Sequence, residues 1–237
     1  MRIDPYGDSA LIVTFDREIS KEVNQQVVNL YRNLKKDASF NSLIPAYNSL
    51  TLSYNRSSIN FEKASQIVKQ AYQDLVSNNY SHVESKTYTI PVCYDPCFGL
   101  DLIEVSRQTN LTIEEMIAAH TNQVYHVYLL GFVAGFAYMG SLPEALKCAR
   151  KTTPRLSVPK GAVGLAGLQT GIYPTEAPGG WQIIGSTPLE MFNPNNKPSS
   201  FLQPGDAVRF RAIGKEEYRI IQLEIETEVF EMEGLYE

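Results

Sequence analysis

The sequence predicts an α+β chain: a small N-terminal α/β domain over residues 1–82, followed by an antiparallel β-barrel domain over residues 83–237. Three observations carry this prediction. Strand-like and helix-like segments alternate up to about residue 77, a polar stretch, SNNYSHVES (77–85), then interrupts the pattern, and from Tyr125 onward short apolar runs are punctuated by glycine and proline. Many short strands with turn residues between them favour a barrel, which removes exposed edges by closing on itself.

In the first domain SALIVTF (9–15) reads as a largely buried β-branched strand. Ile19, Val23, Val27, Leu30, Tyr31 and Leu34 then recur at spacings of three and four, with Ser20 as N-cap, which predicts an amphipathic helix. LIPAYNSLTLSYN (43–55) reads as one strand entered through a proline, and Phe61 to Val76 as a second amphipathic helix. The order strand, helix, strand, helix predicts a small sheet covered on one side by two helices. The polar segment 77–85 is the expected linker.

The second domain opens with the strand KTYTIPVCYD (86–95). Asp101 is placed to cap a helix running through Val105, and Thr112 with Glu115 three positions later forms a capping-box signal for a helix ending near His120 or Asn122. In that helix Ile113, Met116, Ile117 and His120 share the apolar side, so His120 reads either as a satisfied core residue or as a catalyst. VYHVYLLGFVAGFAYMG, residues 150–188, DAVRFRAI (206–213) and EEYRIIQLEIETEVFEME (216–233) all read as strand and turn.

Residues 150–188 hold seven glycines, five prolines and the chain's only tryptophan, Trp181. Apolar residues keep threading between the turn residues, so short strands and fixed turns fit better than a flexible linker. In APGGW (177–181) Pro178 fixes φ while Gly179 and Gly180 allow positive φ. Such a turn either opens backbone N–H groups to a ligand oxygen or simply caps a core tryptophan. GFVAGFAYMG (131–140) sets Phe132, Phe136 and Tyr138 beside glycines, to line an apolar pocket or to fill the barrel.

Composition sets further limits. With 237 residues, 43% hydrophobic, 20% charged and a net charge of −5, the chain is ordinary for a globular protein and argues against nucleic acid as a partner. No window reaches membrane-helix length, and MRIDPYGDSALIVTF places an acid and a proline where a signal peptide would be apolar, so a cytoplasmic protein without membrane contact is expected. Locally Lys147, Arg150, Lys151, Arg155 and Lys160 form a cationic run, either a solvated flank or an anion-facing surface. Three cysteines, two of them in CYDPC (93–97), support neither a disulfide framework nor a metal site. The glycines of GAVGLAG (161–167) lack phosphate-loop spacing, and no standard catalytic signature is present.

The segments HTNQVYHVYLLGFVAGFAYMG, TTPRLSVPKGAVGLAGLQTGIYPTEAPGGWQIIGSTP and PGDAVRF resemble the KipI family, also described as allophanate hydrolase subunit 1 and as the B subunit of bacterial 5-oxoprolinase. YGDSALIVTF and IPVCYD resemble the openings of that family's two domains, so the likeness spans nearly the whole chain. One departure is Ala134, where the family usually reads proline in GFxPGF; it loosens one turn of the expected pocket wall.

The resemblance implies that the barrel is cyclophilin-like. It implies two partners, a second cyclophilin-like subunit (the C subunit, or allophanate hydrolase subunit 2) and a LamB/YcsF-type A subunit, acting together to open 5-oxoproline to glutamate. ATP is implied for the complex, with no cofactor evident in this chain alone. Two other functions occur among such chains: inhibition of a sporulation histidine kinase, and service in a urea- or allophanate-degrading carboxyltransferase. Lactam opening gathers negative charge on the carbonyl oxygen, which calls for cations and N–H donors. On the matched positions Arg155 and Lys160 are expected to supply charge, the Pro178–Gly179–Gly180 turn N–H groups, Gln169 an amide contact and His120 a proton shuttle. Phe132, Phe136, Tyr173, Trp181 and Thr187 are expected to line the same cavity.

Overall fold

A computed structural model describes residues 1–77, 86–231 and 235. The chain divides into two compact units, Met1–Ser85 and Lys86–Glu237. The linker expected at 77–85 lies, from residue 78 on, outside the described residues.

The first unit contains β1 (Arg2–Pro5), β2 (Ala10–Thr14), α1 (Lys21–Leu34), β3 (Phe40–Pro45), β4 (Ser49–Tyr54) and α2 (Phe61–Ser77). Its strands form an antiparallel sheet in the order β1-β2-β4-β3. Side chains alternate along a strand, so Leu11 and Val13 of β2 and Leu50 and Leu52 of β4 share one face, where they are fully buried with Val27 and Leu30 of α1 and Ala64 and Val68 of α2. Ser20 caps α1 as expected, its hydroxyl accepting from Val23 N at 3.2 Å.

Residues 43–55, expected as one strand, are the greater part of a hairpin. Pro45 ends β3 on the sheet's edge, where a missing N–H is tolerated. The turn is held from outside: the buried Asn24 side chain of α1 donates to the carbonyls of Ala46 and Tyr47, each at 3.0 Å.

The second unit contains β5 (Thr87–Cys93), α3 (Leu102–Thr109), α4 (Ile113–Thr121), β6 (Val124–Leu130), β7 (Ala137–Gly140), β8 (Arg155–Val158), β9 (Ala162–Ala166), β10 (Gln169–Ile172), β11 (Ala177–Gly179), β12 (Gln182–Ser186), β13 (Ala207–Ile213) and α5 (Lys215–Glu226). Seven strands close a barrel in the order β10-β7-β6-β13-β5-β12-β9. The wholly antiparallel expectation needs one correction: β13 pairs with β5 in parallel, from Ala207 opposite Thr87 to Ile213 opposite Cys93. The last strand thereby covers the open edge of the first. Ile90, Val127, Met139, Val163 and Val208 are fully buried in the core. Strands β8 and β11 pair with each other in a separate two-stranded ribbon.

The capping box at Thr112 and Glu115 forms in both directions, and α4 ends at Thr121. The segment 216–233, expected as a strand, is largely α5; residues 232 and 233 lie outside the described residues. Tyr218, Ile221 and Ile225 fall at helical spacing and pack on the barrel core, while exposed Ile220 and Leu223 had imitated a strand's continuous apolar run.

Candidate functional site

The motifs of the 131–140 and 177–181 segments meet at one corner of the barrel unit. Phe136 precedes β7, Tyr173 follows β10 and Trp181 precedes β12, and all three are buried in one apolar cluster. Ring centroids stand 5.1 Å apart for Phe136 and Tyr173, 5.3 Å for Phe136 and Trp181, and 5.8 Å for Tyr138 and Trp181, all edge to face. Phe132 adds an exposed ring 5.7 Å from Phe136, on a backbone with φ of 69°. A bulky residue in that left-handed region holds local strain.

Two glycines permit the packing. A Cβ at Gly171 would stand 2.9 Å from Phe136 Cζ and 3.0 Å from Ala137 O, and one at Gly179 would overlap the Tyr173 hydroxyl. Burial pushes the Tyr173 phenol up, against a hydrogen bond from the Trp181 backbone.

Beside these rings lies a polar node centred on Asp101. Its side chain makes no helix-capping bond, correcting the expected role, and α3 runs past Val105 to Thr109. The carboxylate, 4% exposed, instead accepts from Arg155 Nη1 at 2.8 Å and Nη2 at 2.7 Å, from Lys151 Nζ at 3.0 Å and from Ile183 N at 2.7 Å. Burial alone pushes this carboxyl up, but the bonds from Arg155, Ile183 N and Lys151 outweigh it and hold the carboxyl below its ordinary value. Ala177–Gly179 is strand β11 and neither Gly179 nor Gly180 takes positive φ, which corrects the tight turn expected there; Lys151 N donates to Gly180 O at 2.8 Å, tying the cationic segment to the end of β11. The Arg150 guanidinium lies over the Trp181 ring, 5.8 Å from its centroid.

The structure thus brings together Phe132, Phe136, Tyr173, Gly179, Gly180, Trp181 and Arg155 among the expected residues. Pro178 is exposed on the β8–β11 ribbon. Gln169 opens β10 opposite Ala166, half-buried.

Lys160 and Thr187 line a different cleft of about 330 Å³, shared with Gly161 and with Tyr218 and Gln222 of α5. There Lys160 pairs with Glu190 at 2.9 Å, which holds the Glu190 carboxyl below its ordinary value.

His120 is fully buried in the barrel core, stacked on Phe210 at 4.4 Å. The Thr170 hydroxyl donates to Gly164 O at 3.2 Å, so its oxygen accepts from His120 Nε2 at 3.0 Å. Nδ1 is then left to accept from the Tyr94 hydroxyl at 2.8 Å, which assigns the neutral tautomer. Burial pulls the imidazole pKa down to about 3. Both nitrogens are engaged by hydroxyls inside the core and neither is open to a ligand in this arrangement.

Asp101 is the site residue that sequence reasoning missed, because a local rule, helix capping, already accounted for it. Among the described residues no three metal-ligating side chains gather, and no helix is long and apolar enough to cross a membrane.

The protein is an α+β chain with a closed barrel, and its aromatic corner borders a buried ion-pair node. Residues 1–202 match the carboxyltransferase domain, subdomains C and D, and the chain belongs to that family. It is 38% identical over 228 residues to the B subunit of the 5-oxoprolinase of Bacillus subtilis (strain 168), covering 92% of this chain and 95% of that one. The crystal structure of TTHA0988 superposes with a TM-score of 0.76 at 32% identity, over 86% of this chain and 40% of that one, so this chain spans well under half of that protein. The urea carboxylase of Kluyveromyces lactis shares the fold, with a TM-score of 0.71 at 16% identity over 97% of this chain and 23% of that one.

Proposed function

We propose that the chain is the B subunit of a cytoplasmic, ATP-dependent 5-oxoprolinase complex, working with a second cyclophilin-like subunit and a LamB/YcsF-type A subunit to open 5-oxo-L-proline to L-glutamate. The observation that carries this reading is the match to the B subunit of a 5-oxoprolinase over nearly the full length of both chains. The site supports it. Arg155 and Lys151 offer positive charge where the substrate carries a carboxylate and the reaction gathers negative charge on a carbonyl oxygen. Of the four rings Phe132 is the one exposed to a small ring, with Phe136, Tyr173 and Trp181 packed behind it, and Gly179 allows the Tyr173 hydroxyl its close approach.

ATP belongs to the complex in this proposal, and no nucleotide contact is assigned to this chain. His120 is assigned to the barrel core, and Lys160 with Thr187 to the neighbouring cleft. The test is 5-oxoproline-dependent ATP hydrolysis with this chain alone, with the second barrel subunit, and with all three components. Activity that disappears only when this chain is omitted supports the reading, and activity indifferent to it overturns the reading.

A second reading is favoured by the carboxyltransferase family match and the urea carboxylase neighbour: a component serving biotin-dependent urea or allophanate chemistry. The neighbour's low identity speaks for fold alone. Carboxylation of urea by a reconstituted complex, without 5-oxoproline turnover, is the result that selects it.

A further inference from the structure

We propose that Asp101 is a positioning residue that holds Lys151 and Arg155 as a preformed receiver for the carboxylate of a small cyclic acid, close in the fold to Trp181. The identity of that acid as 5-oxoproline rests on the function proposed above; the receiver itself rests on geometry.

Asp101 is buried, yet its two cationic partners are not. The Lys151 and Arg155 side chains remain 27% and 24% exposed. Arg155 spends both terminal nitrogens on Asp101, leaving Nε as an unused donor, and Lys151 has two N–H groups beyond its one bond. Two cations against one carboxylate leave a formal excess of one positive charge at the node, and Arg150 over Trp181 adds another. An incoming carboxylate supplies the missing anion.

Two long flexible side chains ordinarily lose rotamer freedom when they bind an anion. Here one internal carboxylate fixes both in advance, so the ordering is complete before a ligand arrives. The same carboxylate accepts from Ile183 N, two residues after Trp181, and Lys151 N is anchored on Gly180 O, the residue before Trp181. The receiver is therefore tied to Trp181 through a few covalent bonds, so a ligand bound there perturbs that ring's surroundings.

The test uses the reconstituted complex. In Asp101→Asn, which keeps shape and loses charge, KM for 5-oxoproline rises roughly tenfold or more, kcat stays within about threefold and KM for ATP is unchanged. Lys151→Gln, at a part-exposed position, gives a smaller rise of the same kind and keeps the test alive if Asp101→Asn fails to fold. An unchanged KM for 5-oxoproline in both variants overturns the proposal, as does a loss confined to kcat, which places the cations on the reacting carbonyl instead.

Trp181 supplies a readout independent of turnover. In the isolated chain 5-oxoproline should change Trp181 fluorescence saturably, 2-pyrrolidinone, the same ring without a carboxylate, should not, and Lys151→Gln should weaken the response. If the wild-type complex shows no 5-oxoproline-dependent hydrolysis but this response is present, the receiver stands and the function proposal fails. If hydrolysis and fluorescence response are both absent, the receiver is overturned as well.

Discussion

Two buried polar nodes sit in the same barrel unit and have opposite characters. His120 bonds only to neutral groups, the hydroxyls of Tyr94 and Thr170, and every partner is itself buried. Asp101 bonds to two cations whose side chains remain 27% and 24% exposed and keep spare donors. The first node closes on itself and holds α4 and Phe210 against the barrel; the second carries unspent charge on part-exposed side chains beside a buried aromatic cluster. Both side chains are buried and hydrogen-bonded. What separates the two nodes is whether partners with spare donors are themselves part-exposed.

The sharpest way to break that contrast is His120→Ala. It leaves a cavity beside Phe210 and removes the partner of two buried hydroxyls, so the expected loss is about 3 kcal/mol of unfolding free energy. Protein that remains folded should keep the wild-type KM and kcat. Urea denaturation followed by steady-state assays checks both, and a selective fall in kcat without loss of stability would return His120 to the reaction.

Acid exposes the same node. The His120 pKa is about 3 in the folded chain against 6.5 unfolded, so below pH 6.5 the unfolded chain binds a proton that the folded chain refuses. Stability therefore falls as pH falls from 6.5 toward 3, by about 2 kcal/mol between pH 6.5 and 5. His120→Gln should remove most of that slope in thermal melts. Asp101 acts lower: its carboxyl is depressed, so its contribution is complete above the ordinary carboxylate range and is lost only as pH drops through its folded value.

At the aromatic corner, Gly179→Ala should cost about 1–2 kcal/mol, because the new methyl overlaps the Tyr173 hydroxyl. Tyr173→Phe removes that oxygen, so the double variant should recover part of the loss. Additive losses in a double-mutant cycle would show that the clash relaxes elsewhere.

How legible these regions were follows from sequence distance. The Thr112 capping box, the Ser20 cap and the periods of α1 and α2 are local patterns and were read directly. Phe136, Tyr173 and Trp181 do meet, but as a buried cluster, and Thr187, expected beside them, lines another cleft. The Ala46–Asn48 turn escaped because Asn24, more than twenty residues earlier, closes it. The parallel β5–β13 pair escaped because its strands lie over a hundred residues apart. Asp101 meets partners 50, 54 and 82 positions away, beyond the range of any local rule. Residue chemistry suggested roles for His120 and Lys160, but environment, which chemistry does not encode, set them apart from Arg155.

The smallest expected effect belongs to Lys160. Its pair with Glu190 is half-exposed on both sides, and exposed pairs contribute little because water screens them and two long side chains must be held still. Lys160→Ala should therefore shift stability by less than about 1 kcal/mol and leave KM for 5-oxoproline unchanged, whereas Lys151→Gln raises it. The two lysines lie nine residues apart in one cationic run, so the comparison holds local sequence character nearly constant and varies only the anchor. If Lys160→Ala instead raised KM and Lys151→Gln did not, the substrate would sit in the cleft of Thr187 and α5, and the Asp101 node would become the structural one.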